Sequence, residues 1–258
     1  MRAALRAEAR KLRYQRSTWG ILLAAIAIAA VSTVSIIAST QIPESRMPLP
    51  LTLEATIRLV MASATGGYIF ALIMGIVIST TEFRHSTAIA TYLAQPDRGT
   101  VMVAKMIVAA IMGVVVQLVS TVIGWAAGLA YLTRYDHASL ATSAYVEILA
   151  GSLLVGAVLA VMGVSVGSLL RSQMIAVVGA LLWLELVEAL ILVFADGLTR
   201  WSISGAINAV LSIAVETPEF SITAEDVFTP WQSVGLLLAY AVVLALVALR
   251  TSMRRDVE

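Results

Sequence analysis

Six stretches of this chain run for about twenty residues or more with almost no charge, and no other feature limits the fold so strongly. Residues 17–43 lie between Arg16 and Glu44 without a single Asp, Glu, Lys or Arg. Leu59–Ser79, Met106–Thr133, Ile148–Leu170 and Val227–Leu249 are equally free of charge, and Ser172–Phe194 holds only Glu185 and Glu188. A helix of ~20 apolar residues crosses the ~30 Å hydrocarbon core of a bilayer. The pattern therefore predicts an all-α membrane protein with spans over about 19–38, 59–79, 106–131, 148–170, 173–195 and 231–249. The runs lack the alternation of period two that barrel strands require. Composition agrees: 60% of residues are apolar and 13% charged, against ~45–50% and ~25% in soluble domains.

Several function classes are excluded at this level. The chain has no cysteine, so disulfides, thiolate metal sites and cysteine nucleophiles are absent. His85 and His137 are the only histidines, too few for a histidine-built metal centre. A formal charge of +1 provides no basic field for nucleic acid. No G-x-x-x-x-G-K-[ST] or H-E-x-x-H occurs, so nucleotide hydrolysis and zinc proteolysis are not expected of this chain.

Lysine and arginine set the expected orientation. With the N-terminus in the cytoplasm, the inner flanks hold thirteen basic residues and the outer flanks four, an asymmetry that places both termini inside. A cleaved signal peptide is the rival reading of the first 40 residues, but the apolar run is too long and no A-x-A site follows it. Residues 1–17 are expected to form an amphipathic interfacial helix, with Arg2, Arg6, Arg10 and Arg13 on one face and Leu5, Leu12 and Trp19 recurring every seven residues on another. Residues 18–258 then form one six-span domain.

Two connections are long. In the loop Thr81–Lys105, Ser79-Thr80-Thr81-Glu82 has the capping-box spacing of a new helix start. Ile89, Tyr92 and Leu93 give that helix a narrow apolar stripe, and Gln95-Pro96-Asp97-Arg98-Gly99 ends it. Both Glu82 and Arg84 are expected to face solvent. In Asp196–Gln232, Leu198–Val215 reads as a re-entrant or interfacial helical hairpin, followed by an acidic exit through Glu216, Glu219, Glu225 and Asp226.

Glu185 and Glu188 are the most informative polar residues. An ionised carboxylate near the middle of a span costs ~2.5–3.5 kcal/mol on insertion scales, and α-helical spacing puts the two on nearly the same face. Gln117, with Ser120 and Thr121 in the third span, is a candidate partner. Two readings stay open: lining of a translocation path or proton site, and inter-helix hydrogen bonding that fixes packing. Gly124 with Gly128, and Gly163 with Gly167, form GxxxG patterns that allow close helix approach, within the chain or between copies.

The stretch Thr81-Glu82-Phe83-Arg84-His85-Ser86-Thr87, followed by Gln95-Pro96-Asp97-Arg98-Gly99 and Lys105, resembles the loop after the second span of bacterial ABC type-2 permeases. There E-[FY]-R-H-G-T is common, then a short helix, P-x-R and a lysine; Ser86 replaces the commoner glycine. The ending Arg254-Arg255-Asp256 and the pairing of Trp183 with Glu188 are similar too. The resemblance implies one transmembrane half of an ATP-driven exporter in the bacterial inner membrane. It would pair with a second copy or a paralogue and dock on a separate ABC ATPase, which would bind the ATP and Mg. It also implies that residues 1–17 are an elbow helix, that Glu82, Phe83, Arg84 and His85 begin a coupling helix, and that the outer segment is re-entrant. The apolar lining suits an amphipathic or hydrophobic cargo such as a drug, peptide or lipid. A proton-coupled transporter using Glu185 and Glu188, and a non-transporting membrane scaffold, are the alternatives.

Overall fold

The computed structural model describes residues 1–41, 51–85, 93, 97–194, 196–211, 215–217, 220–222 and 228–254. Six of its helices are long and apolar enough to cross a membrane. Helix α1 (Arg2–Tyr14) lies ahead of the first span, α2 (Arg16–Thr40), and an extended Gln15 separates them. The second span is one helical path, α3 (Glu54–Ser63) and α4 (Tyr68–Arg84), broken by a 3₁₀ turn at Ala64–Gly67. Helices α5 (Arg98–Leu132) and α6 (Thr142–Leu170) are the third and fourth spans. The fifth is α7 (Gln173–Leu181), a π-helical stretch Leu182–Val187, and α8 (Glu188–Phe194). A 3₁₀ turn (Asp196–Trp201), α9 (Ile203–Val210) and a short antiparallel ribbon of β1 (Val215–Thr217) and β2 (Phe220–Ile222) lead to the sixth span, α10 (Pro230–Arg254).

Hydropathy located every span but not every helix end. Helix α5 begins eight residues before Met106 because Asp97 caps it, accepting the Thr100 amide at 3.1 Å. Likewise α4 runs unbroken through Thr80, Thr81 and Glu82, so no new helix starts at the expected capping box. The hydroxyls of Thr80 and Thr81 donate instead to the carbonyls of Ile76 and Val77 four residues back, which continues the helix rather than capping another. Of the apolar stripe expected beyond it, Ile89 and Tyr92 fall outside the described residues, and Leu93 is helical and exposed. Trp19 does not extend the apolar face of α1, because the break at Gln15 carries it onto α2, where it is exposed.

Helices α4, α5 and α6 form the centre, while α2, the fifth span and α10 keep most of their surface uncovered. Glycine makes the central contacts close. A Cβ on Gly163 would stand 2.2 Å from the Leu72 carbonyl oxygen, and one on Gly75 would stand 2.0 Å from that of Ala160. Gly113 meets the Gly156 carbonyl in the same way between α5 and α6. Gly167 lies against Ser79, while Gly124 and Gly128 lie against Ala29 and Thr33 of α2. Backbone contact of this kind is what holds spans together where lipid removes the hydrophobic drive. Gly163→Val is therefore expected to force α4 from α6 at a cost of about 1–3 kcal/mol. Gly235→Val, with open space around the new Cβ, is the control. Equal melting temperatures for the two variants in detergent would refute the packing argument.

The break in the second span explains three polar side chains. A 3₁₀ turn disrupts the regular ladder and frees carbonyls that must find donors inside a membrane. Gln117 Nε2 donates to Thr65 O at 2.6 Å, Trp125 Nε1 to Met61 O at 2.8 Å, and Ser32 Oγ to Ser63 O at 3.0 Å.

Candidate functional site

Two polar constellations stand out, one at each depth of the bundle. The first closes the end where α1, α4 and α5 meet. Glu8 of α1, Glu82 of α4 and Lys105 of α5 are each about 5% exposed or less. Lys11 Nζ contacts Glu8 Oε1 at 2.6 Å and Glu82 Oε1 at 2.5 Å, while Lys105 Nζ contacts the second oxygen of each carboxylate at 3.1 Å. The four residues form a closed square in which each charge touches both opposite charges. Its geometry follows from the sequence: Glu8 and Lys11 are one turn apart on α1, and Leu12 and Leu5 seat that face on the core.

Burial works against the Lys11 ammonium, but its hydrogen bonds and charge contacts with Glu8 and Glu82 outweigh this and hold its pKa above the ordinary lysine value. A raised pKa adds stability that is fully present below the unfolded value of about 10.4 and is lost as pH rises through the folded one. The Lys11 contacts therefore hold at neutral pH and weaken in strongly alkaline solution.

Expected coupling residues surround this square, with one correction. Glu82 does not face solvent: the docked α1 covers it, and its charge is paired inside. Phe83 lies under the Arg171 guanidinium at 5.5 Å, Arg84 Nη1 is 3.4 Å from Gln173 Oε1, and His85 is exposed. Gln15 Nε2 adds a 3.0 Å bond to Thr81 Oγ1. The end of α4 is thus tied to α1, to α5 and to the turn between α6 and α7. Arg171 makes that turn in the left-handed region at φ 52°, and its amide donates to Gly167 O at 2.9 Å.

The second constellation lies in the fifth span, and it separates the two carboxylates. Glu188 is 2% exposed, whereas Glu185 faces outward. The π-helical turn between them is the reason, since its extra residue per turn rotates Glu185 away from Glu188. It also brings Trp183 and Glu188, five residues apart, onto one side, and the indole Nε1 donates to Glu188 Oε1 at 3.1 Å. Glu188 accepts two further bonds, from Ile203 N to Oε1 at 3.1 Å and from Ser204 N to Oε2 at 2.8 Å. Ser202 Oγ accepts the next free amide, Gly205 N, at 2.8 Å. A carboxylate and a serine thus cap the whole first turn of α9, where the helix dipole favours negative charge.

No known family model matches this chain, and no curated protein does.

Gln117 is not the partner of either glutamate; its Nε2 donates to Thr65 O at the break in the second span, and its buried Oε1 has no partner among the described residues. Glu185 shares its outward face with Leu182 and Leu186, each more than half exposed. Beside Glu188 lies a cavity of about 690 Å³, walled by Leu72 of α4, Leu159, Met162 and Val166 of α6, Trp183 and Leu184 of the fifth span, Trp201 and Ile203, and Tyr240 and Val243 of α10. Tyr240 donates its hydroxyl to Trp201 O at 2.7 Å. That bond holds the start of α9 level with a residue ten positions inside α10, about 15 Å from its end at 1.5 Å per residue. Among the described residues no three His, Asp or Glu side chains gather as a metal site.

The square escaped sequence analysis because its members are scattered over almost a hundred residues. The available signal was Glu8, the only acid in the first 43 residues, set in an otherwise basic helix.

Proposed function

We propose that the chain is the transmembrane permease subunit of an ATP-driven ABC exporter. It pairs with a second copy or a paralogue in the bacterial inner membrane, with both termini cytoplasmic, and docks on a separate ATPase through the segment after α4. The observation that carries this reading is the buried charge square. A loop that passes movement from a soluble motor into the membrane needs a rigid base. Here the helices on both sides of that loop are locked to each other and to α1. Arg84 and His85 stay on the outside of this base, where a docking partner could reach them.

Glu185 supports the pairing and the path. A carboxylate on the uncovered face of a span is costly against lipid, and that cost disappears if the face meets water or a second subunit. Amphipathic or hydrophobic cargo fits the scarcity of polar groups around it. With Glu188 committed to α9, Glu185 is the carboxylate left for this role.

Co-purification from mild detergent tests the proposal. A stoichiometric ABC ATPase with ATP hydrolysis in the complex is the expected result, and a chain that stays alone after cross-linking would sink it. In the assembled transporter, Arg84→Ala with His85→Ala should leave hydrolysis running while export falls. Glu185→Gln should reduce export about tenfold, the ratio that ~1.4 kcal/mol produces, without lowering the melting temperature. Wild-type export in that variant would remove Glu185 from the path.

A further inference from the structure

The cavity beside Glu188 is a groove whose dimensions point to an occupant, and this inference does not rest on the exporter reading. Its floor follows α6 from Leu159 through Met162 and Val166 to Leu170. Eleven steps along the helix rise about 17 Å, roughly half of a ~30 Å hydrocarbon core. One end, at Leu170, adjoins Arg171 and the charged end of the bundle; the other stops near mid-depth under Trp201 and Tyr240. The groove therefore spans one leaflet.

Most polar groups of its lining are already engaged within the protein. Glu188 already accepts three hydrogen bonds. Ser202 donates to Thr199 O and accepts from Gly205 N, and the Tyr240 hydroxyl donates to Trp201 O. The remaining wall is aliphatic or indole. Its mouth opens sideways between the fifth and sixth spans, where Gly179, Trp183 and Val243 are exposed. The volume lies within the ~300–1,000 Å³ range of ligand pockets.

We propose that this groove is a binding site for one acyl chain of a membrane lipid from the leaflet that meets the charged end of the bundle. The chain enters through the gap between α7 and α10 and lies along α6, with its terminal methyl under the Trp201–Tyr240 contact.

The test is photolabelling in lipid nanodiscs with phosphatidylcholine that carries a diazirine at the end of one acyl chain, mapped by mass spectrometry. Label at the Leu159–Met162 end of the floor is expected at several times the level on Leu23, which faces outward from α2. Gly179→Trp places an indole in the mouth at a position where an added Cβ meets nothing within 4 Å, so the fold should survive. It is expected to bring the floor label down to the Leu23 level while leaving label on Leu23 unchanged. Floor labelling no stronger than on Leu23, or floor labelling that persists in Gly179→Trp, would overturn the proposal. The chain has no native cysteine, so Gly179→Cys can be oxidised without background. A high yield of disulfide-linked dimer would show that a second copy covers the mouth and would overturn the lipid assignment as well.

Discussion

Lys105→Met is expected to destabilise the bundle by about 3–5 kcal/mol, the cost of leaving a buried ionic partner unpaired. The variant strips one cation from a square whose two carboxylates are buried, so Glu8 and Glu82 would share Lys11 alone. In a domain of this size the loss should lower the melting temperature by on the order of 10 °C, read by size-exclusion chromatography after heating in detergent. Lys11→Met should cost far less, because that side chain is 44% exposed and water screens its contacts. Combining Lys105→Met with Glu82→Gln removes one charge of each sign and leaves the Glu8–Lys11 pair intact. The double variant should therefore melt above Lys105→Met, a coupling of about 0.5–3 kcal/mol for residues in direct contact. Exchanging only Glu82 and Lys105 should not restore stability, since the cation placed at 82 would then contact Lys11 and the carboxylate placed at 105 would contact Glu8. Wild-type melting of Lys105→Met would show that the four charges do not hold the helices together.

How much of this was visible in the sequence depends on the length scale of each feature. The spans were legible because bilayer thickness demands ~20 apolar residues in a row, and runs such as Ile148–Leu170 have no soluble counterpart. Helix ends were not, because a charge ends the apolar run without ending the helix. Arg98 and Lys105 lie inside α5 just as Arg58 lies inside the second span. Ser79 and Glu82 carried the spacing of a capping box, yet α4 continues through both to Arg84.

Glycine contacts show the same limit. The GxxxG spacing picked out Gly124, Gly128, Gly163 and Gly167, each in contact with a neighbouring helix. It passed over Gly75, Gly113 and Gly156, each close to a backbone carbonyl of a neighbouring helix, because each contact pairs single residues on two helices. The outer segment was read as helical followed by an acidic exit. Its first part is the 3₁₀ turn and α9, while the exit contains the short ribbon β1–β2, whose three-residue strands carry too little pattern to read. Above all, the relation of Glu185 to Glu188 was misread, since spacing arguments assume 3.6 residues per turn and a π turn changes the face of everything across it.

That change of face makes Glu188 the more sensitive of the two. Glu188→Ala is expected to cost about 3 kcal/mol, because it leaves three partly buried donors without an acceptor, at ~1–3 kcal/mol for each donor that is fully buried. Two are backbone amides at the start of α9 and the third is the Trp183 indole. Glu188→Gln should do about half the damage. It keeps one acceptor oxygen for Trp183 and Ile203 but turns an amide donor toward the Ser204 N–H, and it removes the charge that the helix terminus favours. Faster amide hydrogen exchange over Ile203–Val210, with a lower melting temperature, is the expected signature of both variants. Glu185→Gln should move neither, because its carboxylate faces outward. Three residues apart on one helix, the two glutamates would then differ by kilocalories in what they do for the fold. The difference arises because one caps the first turn of α9 and the other faces outward. Equal stability losses in Glu185→Gln and Glu188→Gln would mean that the turn between them does not separate the two carboxylates as described.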